Sequence, residues 1–307
     1  SGPASEKFMQ LVTINDVSKL SNGQAQYNAM CDINGGIIDD IIIYKKDSEF
    51  MMVVNASNID KNFDWLESVM IEDVTIKNKS MEIGLIAIQG PSSRKILQSI
   101  INQDISKLKF YHFIDGIDIA GSQSLISRTG YTGELGYEIY ASSDSLKKIW
   151  EKLMEEGSQH GLMPAGLGCR DTLRLEMSYL LYGNDINQKV NPVEAGLEWI
   201  TKFKKGHFIG RDSIIEKKDK MSKRIFCFSM VDRAIPRSGC KVIYDDRFIG
   251  RVTSGTMSPI IKNGIGMGYI EKSYHKLESI IQIDIRGKLK DAKIVDPPFY
   301  KDGSLHH

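Results

Sequence analysis

The sequence predicts an α+β chain with more than one domain, ending in an antiparallel β-barrel-like unit. Three observations carry this. Up to about residue 215, segments with helical spacing alternate with short β runs. From Arg224 onward the texture changes to short β runs separated by turn signals, the pattern of a small barrel or sandwich. A Lys-rich stretch, 216–223, lies between the two textures. The 307 residues leave room for two or three separate cores. The division expected is 1–80, 81–215 and 216–307.

Each element has its own warrant. Residues 4–11 have helical spacing and 24–30 alternate like a strand. Ile33-Asn34-Gly35-Gly36 is the strongest hairpin signal, an Asn-Gly pair between two strand-like runs. An isoleucine-rich strand, 37–44, and another at 51–54 follow, then an amphipathic helix at 60–69. A strand at 83–89 leads into a helix at 91–101, with Ser92 and Ser93 as caps. Residues 125–140 read as strand broken by a glycine loop, and 143–160 as a helix stopped near Gly157 or Gly161. A further helix, 168–181, opens from a glycine-rich turn. The C-terminal β runs are 225–230, 241–244, 248–254 and 280–285, with turns at Asp245-Asp246 and Gly287-Lys288.

Composition excludes several classes of function. Lys plus Arg total 40 against 39 acids, so the charge balance does not favour nucleic acid or an anionic membrane as partner. No apolar run approaches the ~18 residues of a membrane span. Residues 1–20 lack the basic leader and apolar stretch of a signal peptide. Cys31, Cys169, Cys227 and Cys240 are scattered without metal spacing and read as buried or half-buried thiols; no metal is expected. His306 and His307 are candidate remnants of a tag.

Asp39-Asp40 inside an isoleucine strand is the feature hardest to explain away. Alternate strand residues face opposite sides, so one carboxylate must meet a buried or half-buried surface. If Asn34-Gly35 is a two-residue loop, Ala29 pairs with Asp40 and Tyr27 with Ile42. Tyr27, Asp40 and Tyr44 then line one face. A carboxylate between two tyrosines suits a flat, amine-bearing molecule, whereas an exposed strand end would leave the two acids merely solvated.

Two other segments compete for attention. Arg128-Thr129-Gly130-Tyr131-Thr132-Gly133-Glu134-Leu135-Gly136-Tyr137-Glu138 is a glycine-shaped turn that lets backbone approach a ligand. Its Glu138 could accept a pair of hydrogen bonds from an aminopyrimidine edge, with aromatic rings on the ligand's face. A surface hairpin with a solvated Glu is the plain alternative. Arg170 lies in the first turn of a helix, where acids are usual, which would suit an anion docked there. Ordinary pairing with Asp171 or Glu134 competes. Gly264-Ile265-Gly266-Met267-Gly268 looks like part of a nucleotide fingerprint but is followed by strand-like residues, so a glycine-rich β segment is the better reading.

Taken in order, these and other segments resemble the T-protein aminomethyltransferases of the glycine cleavage system over essentially the whole chain. The resemblance runs from Thr13-Ile14-Asn15-Asp16-Val17-Ser18 and Gly23-Gln24-Ala25-Gln26-Tyr27 through Asn34-Gly35-Gly36-Ile37-Ile38-Asp39-Asp40. It continues through Val53-Val54-Asn55-Ala56, Gln89-Gly90-Pro91, the Arg128 segment, Ala165 to Glu176, and Tyr182-Gly183-Asn184-Asp185-Ile186. Asn191-Pro192-Val193-Glu194, Thr253-Ser254-Gly255 and Pro297-Pro298-Phe299-Tyr300 complete it. Each motif is weak alone; their common order is specific.

The resemblance implies a three-domain, folate-binding fold around a central cavity. It implies transfer of the methylene of an aminomethyl-lipoyl group on H-protein to tetrahydrofolate, with release of ammonia. By that resemblance Asp40 is the catalytic acid, Glu138 meets the pterin edge and Arg170 the acidic end or pocket frame. Tyr27, Tyr44, Val53, Asn55, Tyr131, Tyr182 and Trp199 form the folate-binding walls. The implied partners are lipoylated H-protein and tetrahydrofolate, in a bacterial cytoplasm or a mitochondrial matrix. The family's opening segments, Phe-Ala-Gly-Trp-like and Phe-Asp-Val-Ser-His-Met-like, have no counterpart here, and Leu135 stands where an acid is usual. Related alternatives are a folate-dependent demethylase and a non-catalytic folate-binding iron–sulfur assembly factor. The intact Asp39-Asp40 motif argues against the first, and His207, standing where a cysteine is expected, against the second.

Overall fold

The computed structural model describes residues 1–306, and the candidate tag remnant His306-His307 falls outside the described side chains. The first layer is an antiparallel sheet of β1 (Gln24–Cys31), β2 (Ile37–Lys46) and β3 (Glu49–Val53), in that order. One face is covered by α1 (Ser5–Val12) and α2 (Ile59–Ser68), whose Phe8, Met9, Val12 and Leu66 pack on Met30, Ile38, Ile41 and Ile43. The expected pairing holds: Ala29 lies opposite Asp40 and Tyr27 opposite Ile42. The route to it differs. Asp32 closes a three-residue loop, its carbonyl accepting the Gly35 N–H and its own N–H donating to the Gly36 carbonyl (both 2.9 Å). Gly35 takes the left-handed conformation (φ 81°) that such a loop requires. A bulge at Ile38 then supplies the extra residue that restores the register.

The second sheet has the order β4 (Ile83–Gln89), β7 (Gly136–Ser142), β6 (Ser122–Ser127), β5 (Phe113–Ile119). Behind it lie α3 (Ser93–Ser99) and α4 (Leu146–Gly157), closed by Ile96, Leu97, Ile149 and Leu153. Ser92 occupies the position before α3 but makes no capping bond, and the Ser93 hydroxyl donates instead to the Leu135 carbonyl (3.0 Å). The two sheets are joined at the edge: the Ala25 N–H donates to the Tyr111 carbonyl and the Phe113 N–H to the Gly23 carbonyl (both 2.8 Å). Between their faces, Tyr44, Phe113, Leu125 and Tyr140 form a small shared core.

Beyond the second sheet run α5 (Leu167–Glu176) and α6 (Arg211–Lys218). The helix foreseen over 168–181 ends at Glu176, because Ser178 turns to positive φ (57°) and the carbonyls and N–H groups that follow find other partners. Residues of 186–214, among them Val193, Ile200 and Phe208, return to pack on Ile14, Ala29 and Cys31 of the first layer. The chain then enters a closed antiparallel barrel, ordered β10 (Arg247–Ser258), β11 (Asn263–Glu271), β8 (Lys223–Met230), β13 (Lys288–Val295), β12 (Ile280–Ile285), β9 (Lys241–Tyr244). The glycine-rich run is part of β11. A Cβ at Gly268 would lie 2.2 Å from the Arg251 carbonyl oxygen, so glycine there serves close strand approach.

α5 is locked to the barrel by charge. The Arg174 guanidinium, 1% exposed, donates to Asp185 (2.7 Å) and to the Ser254 hydroxyl of β10 (2.8 Å). Cys31 and Cys227 are buried and Cys240 half-buried, as expected, but Cys169 is exposed at the start of α5. No helix among the described residues is long and apolar enough to cross a membrane.

Candidate active site

The even-numbered face of β2 and the face of the second sheet that carries Glu138 look toward one another, and most of the residues singled out from sequence line them. Asp40 projects from β2, half-buried. Its carboxylate accepts the Tyr27 hydroxyl (3.1 Å) and the Asn55 side-chain amide (2.9 Å). Asn55 is there because β3 pairs with β2 through Val53, opposite Ile42, and the chain turns just beyond. The Tyr27 ring in turn stacks on Trp199 with centroids 6.1 Å apart. Trp199 is 63% exposed, so it forms an outer lip rather than a buried wall.

Tyr44, two residues along the same face, is fully buried and reaches the opposite sheet. Its hydroxyl lies 3.0 Å from that of Tyr140 and 3.3 Å from that of Thr129. Both of those hydroxyls donate to Glu138, Tyr140 at 3.4 Å and Thr129 more closely. A continuous chain of hydroxyls therefore connects the first sheet to Glu138. Val53 packs beside Tyr44 in the same small core.

The remaining candidates come from loops. The Tyr131 hydroxyl donates to the Leu180 carbonyl, its ring stacks on Tyr179 (5.7 Å), and the Arg170 guanidinium lies 4.8 Å from its centroid. Arg170 is exposed and rests on Tyr131. Asp171 is engaged by Arg174 and Glu134 by Ser304, so neither of the pairings considered for Arg170 from sequence is formed. Tyr182 donates to the Ile37 carbonyl (3.2 Å) and accepts the Lys61 ammonium (2.9 Å), which also donates to the Ile38 carbonyl (2.7 Å).

The electrostatics follow from burial. Desolvation, helped by the neighbouring charge of Asp39, pushes the Asp40 carboxyl up to about 6, and hydrogen bonds from Asn55 and Tyr27 hold it from rising further. Burial likewise raises Glu138, against the pull of its Thr129 hydrogen bond and of Arg170. The phenols of Tyr27, Tyr111 and Tyr131 are all driven up by burial and stay neutral donors. A carboxyl poised near neutrality beside neutral phenols can hold or release a proton at physiological pH.

Sequence reasoning missed several participants. Tyr111, raised mainly by burial, also feels the charges of both Glu138 and Asp40. It sits at positive φ (58°) in a loop with no glycine or periodicity to mark it. Lys61, Asn58 and Asn62 come from α2 or the turn before it, and on an amphipathic helix rich in other polar residues nothing local marked them out.

The comparisons with known proteins place the whole chain in one family. Residues 1–205 match the family described as the GCVT N-terminal domain, and 223–301 match the glycine cleavage T-protein C-terminal barrel domain. An aminomethyltransferase of Chloroherpeton thalassium is 44% identical over 97% of this chain and 83% of its own length. One from Bacillus subtilis is 43% identical, covering 98% and 84%. The crystal structure of glycine cleavage system aminomethyltransferase T from Bartonella henselae superposes with a TM-score of 0.89 at 28% identity, over 98% of this chain and 83% of that one. With matches of this extent, the chain belongs to the glycine cleavage T-protein family of aminomethyltransferases.

Proposed function

We propose that the chain moves the methylene of an aminomethyl group, carried on the lipoyl arm of H-protein, to tetrahydrofolate, with Asp40 as the catalytic group. The observation that carries this reading is the environment of Asp40. It is a half-buried carboxyl raised to about 6 and held by Tyr27 and Asn55, with a second raised carboxyl, Glu138, on the opposite sheet. In the balanced reaction the methylene carbon loses its bonds to nitrogen and sulfur and gains bonds to two folate nitrogens. The two folate N–H protons leave with ammonia and with the lipoyl thiol. Asp40 can stabilise the positive charge that develops on the carbon and orient or deprotonate a folate amine.

The wall residues suit a flat bicyclic ligand bearing amino groups. Glu138 offers two acceptor oxygens for an aminopyrimidine edge, and Tyr131 offers a ring face backed by Tyr179. Arg170, exposed beside Tyr131, suits the acidic end. Tyr27, Trp199, Asn55, Val53 and Tyr182 complete the walls near Asp40, and Tyr44 acts from behind by holding Tyr140 toward Glu138. The relatives named above are bacterial, which supports a bacterial cytoplasm as the setting. Calorimetric titration with tetrahydrofolate tests the assignment. Binding should be lost in Glu138→Ala and largely kept in Asp40→Asn, while Asp40→Asn abolishes transfer. Full binding by a folded Glu138→Ala variant would refute the pocket.

A further inference from the structure

Asp39 is 0% exposed, yet it carries a carboxylate. Four donors converge on it. They are the Asn55 N–H (3.2 Å), the Asn55 side-chain amide (2.8 Å), the Asn58 amide (2.7 Å) and the Asn62 amide. A carboxylate accepts about four hydrogen bonds only when ionised, so this set defines a charged Asp39 with every acceptor position filled. All the donors are neutral. Amide dipoles solvate the charge without cancelling it, in contrast to the Arg174–Asp185 pair, where a guanidinium does so directly. The arrangement has a cost of its own: the buried carbonyl oxygen of Asn62 has no hydrogen-bond partner.

The link to the reaction centre is Asn55. Its single amide nitrogen lies 2.8 Å from the Asp39 carboxylate and 2.9 Å from that of Asp40, with the Asp40 backbone carbonyl a longer third acceptor at 3.2 Å, so its two hydrogens are shared between the carboxylates. The groups that face Asp40 are the phenols of Tyr27, Tyr111, Tyr131 and Tyr182, all kept neutral by burial, together with Asp39 itself. Lys61, on α2, faces Asp39 from a distance while donating to the Ile38 carbonyl and to Tyr182.

We propose that Asp39 is a positioning residue, a caged anion that acts through the shared amide of Asn55 to fix the orientation and basicity of Asp40. This rests on the reading of Asp40 as the catalytic carboxyl. Removing the anion would relieve like-charge repulsion and make Asp40 a weaker base. Removing the shared amide would free Asp40 from a stabilising donor and make it a stronger one. A residue that served only to hold the sheet together would move neither.

The test reads Asp40 directly. The side-chain carboxyl carbons of the full chain, labelled at aspartate, are titrated by NMR, with the Asp40 resonance identified by its loss in Asp40→Asn. Asp39→Asn should lower the Asp40 midpoint and Asn55→Ala should raise it, each by roughly 3- to 10-fold in proton affinity. The acid limb of kcat against pH should move in the same direction. An unchanged midpoint in either variant, with cooperative thermal unfolding retained, overturns the proposal. If Asp39→Asn does not fold, the Asn55→Ala arm decides alone. Because the titration needs no turnover, a chain that shows these shifts but transfers nothing would count against the functional reading and not against the Asp39–Asp40 coupling.

Discussion

The hydroxyl of Tyr27 lies 3.1 Å from Oδ2 of Asp40 and donates to it across the β1–β2 pair. This bond favours the ionised carboxylate and so opposes the burial that raises it. Tyr27→Phe removes one donor and little volume. The acid limb of the transfer rate against pH should move upward by about half a unit to one unit, so the rate should fall by about twofold at most at pH 7 and by about two- to fivefold at pH 6. A pH–rate profile of the variant beside the wild type checks it.

Asp40 should also weaken the fold it serves. Its carboxyl is raised from 3.8 to about 6 in the folded chain, so the folded state holds the proton more tightly than the unfolded one. Below about pH 4 both states are protonated and the preference for the neutral group is fully expressed. As pH rises through 6 the folded chain must carry a buried charge, and that stability is lost. Asp40→Asn should therefore raise the unfolding free energy at pH 8 by about 1 to 3 kcal/mol and give no gain at pH 4, while abolishing transfer. Urea unfolding at the two pH values separates the cases.

Lys205 makes a third case, away from the reaction centre. Its ammonium is turned inward and donates to the carbonyls of Gln10 and Asn15 (both 2.8 Å) and of Thr13, groups that α1 and its exit leave without partners. Lys205→Met keeps the stem and removes all three bonds. It should cost about 2 to 4 kcal/mol at pH 7, measured by denaturant unfolding, and leave tetrahydrofolate affinity unchanged.

How far the sequence could be read depended on whether a contact was local. The pairing of Tyr27 with the Asp40 face followed from the Asn34-Gly35 signal and the two-residue period of strands, and it holds although the loop is longer than assumed. The barrel's strand texture was legible because β9–β10, β10–β11 and β12–β13 are hairpins with short turns, whereas its closure through β8–β11, β8–β13 and β9–β12 joins strands far apart in sequence. The hydroxyl chain from Tyr44 through Tyr140 to Glu138 was not, since it crosses between sheets whose relative placement no local pattern encodes. Helix chemistry marked Arg170 as unusual, but the buried charge of α5 belongs to Arg174, one turn later, and only the position of Asp185 and Ser254 explains it. The return of 186–214 onto the first layer was equally invisible, because an irregular segment carries apolar residues without a period.

The hairpin between β1 and β2 has a further consequence. Surface loops usually tolerate a residue gained or lost, but here the three-residue turn and the bulge at Ile38 form a matched pair of offsets. Each cancels the phase error of the other, and downstream of them stand two identical side chains on opposite faces. A single deletion at the exposed tip, about five residues before the carboxylates, would leave the composition of the strand intact and move each residue that follows by one address. Asp40 would take the place of Asp39 in the asparagine cage, and Ile41 would take the place of Asp40. Length at this tip is thus inherited as a reading frame, and variants drawn from it should be aligned by count before they are compared by identity.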